Sequence, residues 1–201
     1  MFINRRKREI NLNLVYYGPA LSGKTTNLQQ IHAHLDSGAR SELYTLNTRE
    51  DRTIFFDFMQ LGFGDIGGLQ PKFGLYTVPG QVYYAATREA VLRRADGVVF
   101  VADSQTHRLD DNRASWQDMR AQLRARGVPE LPVVVQYNKR DLPNILPVER
   151  LSEALDATGL PTFEAVALHG RGVRETLGMA LQLVLADVRR KLRFYSESKR
   201  Q

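Results

Sequence analysis

The sequence contains no cysteine and no long apolar run, and these absences exclude several classes of protein. A chain without cysteine has no disulfide framework and no site for prenylation or palmitoylation. Residue 2 is phenylalanine rather than glycine, which excludes N-myristoylation. No segment reaches the roughly 20 apolar residues of a membrane-spanning helix, and the basic residues 1–8 lead into no apolar signal-peptide core. The expected compartment is the cytoplasm.

The composition is typical of one soluble globular domain. Of the 201 residues, 43% are apolar and 25% are charged, which is ordinary for a chain with a single buried core. No repeat or Pro/Gly-rich linker divides the chain. We therefore expect a basic N-terminal segment (1–8), one domain (9–187) and a basic extension of the last helix (188–201).

The formal net charge is +6, with basic clusters at 5–8 and 189–193. Such an excess of positive charge is compatible with binding to nucleic acid, anionic lipid or an acidic protein surface. It is also compatible with basic residues that are merely solvated. No aromatic residues are interleaved with the basic ones, so direct contact with nucleic acid is not expected. Two interpretations of the C-terminal cluster remain: weak reversible contact with a membrane, or a solvated helix end.

Short apolar and β-branched runs alternate with amphipathic segments along the domain. This alternation predicts an α/β fold with a three-layer, mostly parallel sheet and helices on both faces. Ligands of such sheets bind at the carboxyl ends of the strands. Strands are predicted at 11–17, 43–46, 53–58, 73–78, 97–101, 133–137 and about 162–166. Helices are predicted at 26–35, 83–94, 110–126, 148–157 and from about 173 onward.

A phosphate-binding loop of full spacing follows the first predicted strand and opens a helix. Its chemistry requires backbone N–H groups directed at an anion ahead of a helix N-terminus. Lys24 is expected to reach the β- and γ-phosphates, the Thr25 hydroxyl to bind Mg²⁺, and Thr26 to follow within the nucleotide-binding segment. The loop consists of Gly18, Pro19, Ala20, Leu21, Ser22, Gly23, Lys24 and Thr25.

Asn138-Lys139-Arg140-Asp141 directly follows the predicted strand 133–137. The Asp141 carboxylate can accept from N1–H and the 2-amino group of guanine, whereas adenine offers neither donor. The Asn138 side chain either bonds the other edge of the base or ties this loop to the phosphate loop. The stem of Lys139 can lie over the purine. Alone, the tetrapeptide also fits a polar turn, but downstream of a phosphate loop the guanine interpretation is favoured.

Thr77-Val78-Pro79-Gly80-Gln81 closes another predicted strand. The Gly80 N–H can meet the γ-phosphate, and Gln81 can orient the attacking water. An ordinary Pro-Gly turn is the alternative. Downstream, the segment Ala165-Val166-Ala167 ends a predicted strand, and the Ala167 N–H is a candidate donor to guanine O6.

Arg52 and Thr53 lie where a switch segment is expected. Thr53 can complete the Mg²⁺ shell when GTP is bound, and Arg52 can act as an arginine finger in cis. Arg49 competes with Arg52 for that role, and both also fit plain surface residues. Asp57 is a candidate to replace, as an outer Mg²⁺ partner, the aspartate that is missing at position 77.

Taken in order, these segments resemble those of the Ras-like small GTPases, which are P-loop nucleoside triphosphatases with a G domain. Within them they resemble the bacterial MglA family of motility and polarity GTPases. Most small GTPases place aspartate at the position of Thr77, whereas the MglA family places threonine. The matching segments are 8–10, 15–19, 21–28, 51–53, 55–58, 75–81, 96–104 and 136–143.

The resemblance implies a switch that cycles between GDP and GTP, marks one cell pole when GTP is bound, and acts on polarity or motility effectors. It implies an activating partner, MglB, a roadblock-fold dimer that arranges the switch rather than donating an arginine. In that family's pattern Arg52 is the intrinsic finger and Gln81 orients the water.

Ala20 departs from the glycine that this family carries at the same position. A Cβ there can displace the groups that gather at the γ-phosphate, and a small misplacement costs a large factor in rate. Our leading hypothesis is a GTP-hydrolysing switch that is slow without its activator. The alternative is a GTP-binding module with little or no hydrolysis.

Overall fold

A computed structural model describes residues 1–35, 40–46, 56–62, 68–81 and 84–197. Among these residues, no helix is both long and apolar enough to cross a membrane. The strands are β1 (Phe2–Asn4), β2 (Glu9–Tyr17), β3 (Tyr44–Leu46), β4 (Phe56–Gly62), β5 (Gln70–Thr77), β6 (Gly97–Asp103), β7 (Val133–Asn138) and β8 (Thr162–Glu164). The helices are α1 (Lys24–His34), α2 (Ala85–Leu92), α3 (Leu109–Ala125), α4 (Val148–Ala154) and α5 (Val173–Glu197), with single 3₁₀ turns at Thr106–Arg108 and Ala167–His169.

The strands form one sheet in the order β3-β4-β5-β2-β6-β7-β8, and β1 pairs with β2. The pairs from β5 through β2, β6 and β7 to β8 are parallel, and the pairs of β3 with β4, β4 with β5, and β1 with β2 are antiparallel. All residues of β6 and β7 are buried, as expected for central parallel strands. The predicted fold class is confirmed.

Two apolar clusters cover the two faces of the sheet, because side chains alternate along each strand. Along β6, Val99 and Val101 face the cluster that includes α1 and α5. Val98 and Phe100 face the cluster under α2, α3 and α4. Trp116 on α3 is 5% exposed and packs edge-on against Phe100, so it belongs to this second cluster. The sheet is therefore the middle of three layers.

Some element boundaries differ from the predictions. β5 begins at Gln70 rather than at residue 73, because its polar start pairs with the polar start of β2, as in Glu9 with Gln70. α4 ends at Ala154 rather than 157, since Asp156 takes a left-handed conformation with φ 49. The predicted strand residues 53–55 lie outside the described residues.

A buried amide cluster joins three elements beneath the phosphate loop. Gln136 on β7 exchanges two hydrogen bonds with Asn27 on α1, at 2.8 and 2.9 Å. Gln136 also donates to the Thr176 hydroxyl on α5 at 3.0 Å. Asn27 donates in addition to the carbonyl oxygen of Gly23 at 2.9 Å. All three side chains are fully buried, so every one of these bonds replaces water that cannot reach the site.

Candidate nucleotide-binding site

The loop between β2 and α1 depends on the two glycines at its ends. Gly18 has φ 144 and Gly23 has φ 103, which side-chain-bearing residues rarely adopt. A Cβ on Gly18 would collide with the carbonyl oxygen of Val101, and one on Gly23 with the Asn138 amide. Helix α1 begins at Lys24 with no side-chain cap on its first turn. A glycine-bounded loop ahead of an uncapped helix is a geometry that binds anions.

Lys24 lies across this loop, with 7% of its surface exposed. Its Nζ donates to the carbonyl oxygens of Gly18 (2.9 Å) and Pro19 (2.7 Å). Burial, followed by repulsion from Arg88 and Arg108, lowers the pKa of Lys24 to about 7, while Asp57 acts in the opposite direction. Arg88 and Arg108 are thus near enough to the loop to affect the charge of Lys24.

Asp57 joins the loop to the sheet at the predicted metal position. Its Oδ2 accepts hydrogen bonds from the hydroxyls of Thr25 (2.6 Å) and Thr77 (3.0 Å), and its backbone N–H donates to the Thr77 hydroxyl (2.8 Å). Asp57 is 3% exposed. Hydroxyl and carboxylate oxygens are ligands that Mg²⁺ accepts, and Mg²⁺ usually takes few protein ligands beside phosphate and water. The residues present therefore fit the ion. Thr53 lies outside the described residues.

Asn138 connects the predicted base-binding loop to the phosphate loop. Its Nδ2 donates to the Ser22 carbonyl oxygen at 2.8 Å, and its Oδ1 accepts the Ala167 N–H at 2.8 Å. Of the two roles left open for Asn138, the structure shows the tie between loops. The Ala167 N–H that was predicted to face guanine O6 donates here to Asn138. Ala165 and Val166 are buried beside it.

Of the three charged residues that follow Asn138, Lys139 and Arg140 are paired, Arg140 with Glu164 at 2.7 Å, and Asp141 is open. Lys139 has φ 65, and its Nζ pairs with Asp103 Oδ2 at 2.6 Å. Asp141 is exposed, and its carboxylate pairs with no other residue in the part of the chain that the structure describes. An open carboxylate at this edge is available to two N–H donors of a ligand.

The turn 79–81 meets the phosphate loop directly. A Cβ on Gly80 would collide with the backbone of Pro19 and Ala20, so only glycine fits there. The Gln81 side chain is exposed. Arg49 and Arg52, the two candidate fingers, lie outside the described residues.

Sequence reasoning missed three residues of the site. Arg108 donates to the Ala20 carbonyl oxygen at 2.7 Å and pairs with Asp111 at 2.5 Å. Leu168 follows Ala167 and is 67% exposed, so its apolar surface is free to contact a ligand. Asp103 had a usable signal, since it ends the buried strand β6 at the same sheet edge as Asn138. No sequence pattern marked Arg108 or Leu168 as part of the site.

A mostly parallel sheet covered by helices on both faces, with a glycine-bounded loop opening the first helix, defines a P-loop nucleotide-binding protein of the Ras-like class. The model of the ADP-ribosylation factor family matches residues 2–184 of the chain. The chain belongs to this family of small GTPases.

Two relatives make the assignment more specific. The chain is 48% identical over 191 residues to "Mutual gliding-motility protein MglA" of Myxococcus xanthus (strain DK1622), covering 94% of this chain and 98% of that protein. It is 28% identical over 181 residues to "ADP-ribosylation factor-like protein 4D" of Mus musculus, covering 85% of this chain and 87% of that protein. The resemblance to the MglA family that the sequence motifs indicated is thereby confirmed.

Proposed function

We propose that the protein is a molecular switch that binds Mg²⁺-GTP, hydrolyses it slowly to GDP and phosphate, and changes the arrangement of its switch segments as it does so. The observation that best supports this proposal is the hydrogen bond from the Asn138 side chain to the Ser22 carbonyl oxygen, which joins the base-binding loop to the phosphate loop. One buried amide thus sets the distance between the two ends of the ligand site.

The base-binding end is proposed to select guanine. Asp141 accepts from N1–H and the 2-amino group, and an adenine in its place leaves the carboxylate unmatched. Lys139, held by Asp103 at 2.6 Å, covers one face of the purine with its stem. The exposed Leu168 covers the other face with apolar surface. The segment 165–167 closes this end.

The phosphate-binding end is proposed to combine the N–H groups of residues 18–26 with the Lys24 ammonium. Thr25, Asp57 and, with GTP, Thr53 would hold Mg²⁺ or its water ligands. The ion supplies neutralisation of charge on the β- and γ-phosphate oxygens. Because Thr77 has no charge, Asp57 provides the carboxylate that the Thr25 hydroxyl contacts at 2.6 Å.

Hydrolysis is proposed to proceed by attack of a water molecule on the γ-phosphate. Gln81 orients that water, Arg52 adds positive charge, and the Gly80 N–H binds a γ-phosphate oxygen. Gly80 already touches the backbone of Pro19 and Ala20. Loss of the γ-phosphate removes the contacts of Gly80 and Thr53, and this releases the switch segments.

The process under control is proposed to be cell polarity or gliding motility, because the chain shares 48% identity with a gliding-motility protein. On the family pattern, an MglB-type roadblock dimer accelerates hydrolysis. The GTP form then engages polarity or motility effectors at a cell pole.

A binding module with little hydrolysis is the second candidate, and the surroundings of Ala20 favour it. Gly80 lies against the Ala20 backbone, and Arg108 holds the Ala20 carbonyl oxygen at 2.7 Å. The Ala20 methyl group can compete for space with the groups that assemble at the γ-phosphate.

Single-turnover hydrolysis of preloaded Mg²⁺-GTP, with and without an MglB-type dimer, separates the two candidates. Turnover that the dimer accelerates is expected for a regulated switch. Tight GTP binding with no turnover in either condition would establish the binding module. ATP serves as the control and should not compete for the site.

A further inference from the structure

The turn 79–81 is held from below by one buried arginine. Arg88 on α2 is 6% exposed. Its Nη1 donates to the carbonyl oxygen of Gln81 at 2.5 Å and lies 3.5 Å from that of Pro79. The Pro79 carbonyl shares its peptide unit with the Gly80 N–H, and the Gln81 carbonyl directly follows the Gln81 side chain. The guanidinium therefore holds the turn before Gly80 and after Gln81.

Asp118 on α3 sets the orientation of Arg88. Its Oδ2 accepts from Arg88 Nε at 2.9 Å and from the Tyr17 hydroxyl at 2.6 Å, while its Oδ1 accepts from Gln122 at 2.9 Å. Burial alone raises the pKa of Asp118, but hydrogen bonds from Tyr17, Gln122 and Arg88 hold it below its usual value. Asp118 therefore stays ionised as the anchor of this network.

Tyr17 extends the network to the phosphate loop. It is the last residue of β2, is fully buried and directly precedes Gly18. Burial, together with the hydrogen bond to Asp118, raises the pKa of Tyr17, so its hydroxyl remains a donor at physiological pH. The network thus links the residue before the phosphate loop to the peptide groups around Gly80.

An arginine is suited to this arrangement because its donors lie in one rigid plane. With Nε fixed by Asp118, Nη1 is directed at the turn. A cavity of about 450 Å³, lined by Gly80, Gln81 and Arg88, borders the turn on this side. Hydrogen bonds rather than dense packing therefore hold the turn here. The Asp118 side chain is 34% exposed, and an ion pair that reaches solvent contributes little net stability, which favours a role in positioning.

We infer that Arg88, oriented by Asp118, is a positioning residue that aligns the Gly80 N–H and the Gln81 side chain for hydrolysis without touching the nucleotide. The inference rests on the proposed hydrolysis. Variants of Arg88 or Asp118 should therefore change the hydrolysis rate without changing nucleotide affinity, since neither residue belongs to the base-binding or phosphate-binding contacts.

The test compares Arg88→Lys and Asp118→Asn with Arg93→Gln, whose parent residue forms an exposed ion pair with Glu89 at the end of α2. Lysine keeps the charge of Arg88 but not its planar fork. Single-turnover GTP hydrolysis is expected to fall by about 100-fold in Arg88→Lys and about 10-fold in Asp118→Asn, the size of effect that a misplacement of about 1 Å produces. Dissociation constants for GDP and GTP should stay within about twofold of wild type, and Arg93→Gln should match wild type throughout.

Amide hydrogen exchange at Gly80 and Gln81 in the GDP complex provides a readout that does not depend on hydrolysis. Exchange should be faster in Arg88→Lys and Asp118→Asn and unchanged in Arg93→Gln. Unchanged exchange in both variants overturns the inference, as does wild-type hydrolysis by both. If wild type shows no turnover even with the activator, the proposed function fails, and the exchange result alone decides the role of Arg88.

Discussion

The base-binding end and the hydrolytic end of the site are built differently. At the base-binding end, Asn138 and Asp103 end two fully buried parallel strands, and their side chains are held by Ser22, Ala167 and Lys139. At the hydrolytic end, Gln81 is exposed on a turn whose carbonyl groups are held by Arg88. Strand ends give precise positions, whereas this turn is held by hydrogen bonds from a side chain and by its contact with the phosphate loop. If the proposed function is right, this difference lets the molecule retain nucleotide firmly while its rate of turnover is set separately.

Asn138→Ala should loosen the link between the base-binding loop and the phosphate loop, and it should have the largest effect on nucleotide affinity. It leaves the Ser22 carbonyl and the Ala167 N–H without their partner, at about 1–3 kcal/mol each. We expect GDP affinity to fall at least about 100-fold, together with a lower melting temperature. Arg150→Ala, on the exposed part of α4, is the control. Unchanged GDP affinity in Asn138→Ala would show that the two loops keep their spacing by other means.

Asp57→Asn should weaken Mg²⁺ retention without removing the nucleotide. Removing an outer partner of a metal typically costs about 10–100-fold in affinity, and asparagine lacks the charge that faces the Thr25 hydroxyl. The measurement is the Mg²⁺ concentration needed for half-maximal slowing of GDP release. Asp187→Asn, far from the site on α5, is the matched control. The assignment of Asp57 is wrong if both variants need the same Mg²⁺ concentration as wild type.

Ala20→Gly should raise the hydrolytic rate and leave the base-binding end untouched. Removing the Cβ frees space for the groups that assemble at the γ-phosphate, and we expect about a tenfold gain in single-turnover hydrolysis. The dissociation constants for GDP and GTP should not change. Equal rates for the variant and wild type, with and without the activator, would contradict this account of Ala20.

Nucleotide binding should take up a proton at Lys24, which gives the smallest effect. In the ligand-free site its pKa is about 7, and phosphate charge favours the ammonium, so the pKa rises on binding. Affinity is therefore greatest below pH 7 and should fall by about eightfold from pH 6.5 to 8. Calorimetry in buffers of different ionisation enthalpy measures the uptake. No uptake at pH 8 would mean that Lys24 is already fully charged before binding.

The sequence predicted the fold and much of the candidate site, because both depend on local patterns. The apolar runs of β6 and β7 and the spacing from Gly18 to Thr25 are properties of neighbouring residues. Arg88 and Asp118 could not be found in this way, since they lie 30 residues apart and meet only when α2 packs against α3. Ordinary charges on helices carry no signal of a partner until the fold brings them together.

The Gln136 amide has a consequence for how the chain acquires its binding site. Gln136 lies 109 residues from Asn27 and 40 residues from Thr176 along the chain. Until α5 is in place, the Thr176 hydroxyl cannot meet Gln136, and the apolar interior around this amide cannot close without an unmet hydrogen bond. The Gly23 carbonyl oxygen of the phosphate loop accepts a hydrogen bond from Asn27. The loop therefore reaches its final conformation only when the whole domain has been synthesised. Nucleotide that binds at that stage stabilises fully synthesised chains in their native state. A ligand that binds only the native state draws the folding equilibrium toward it.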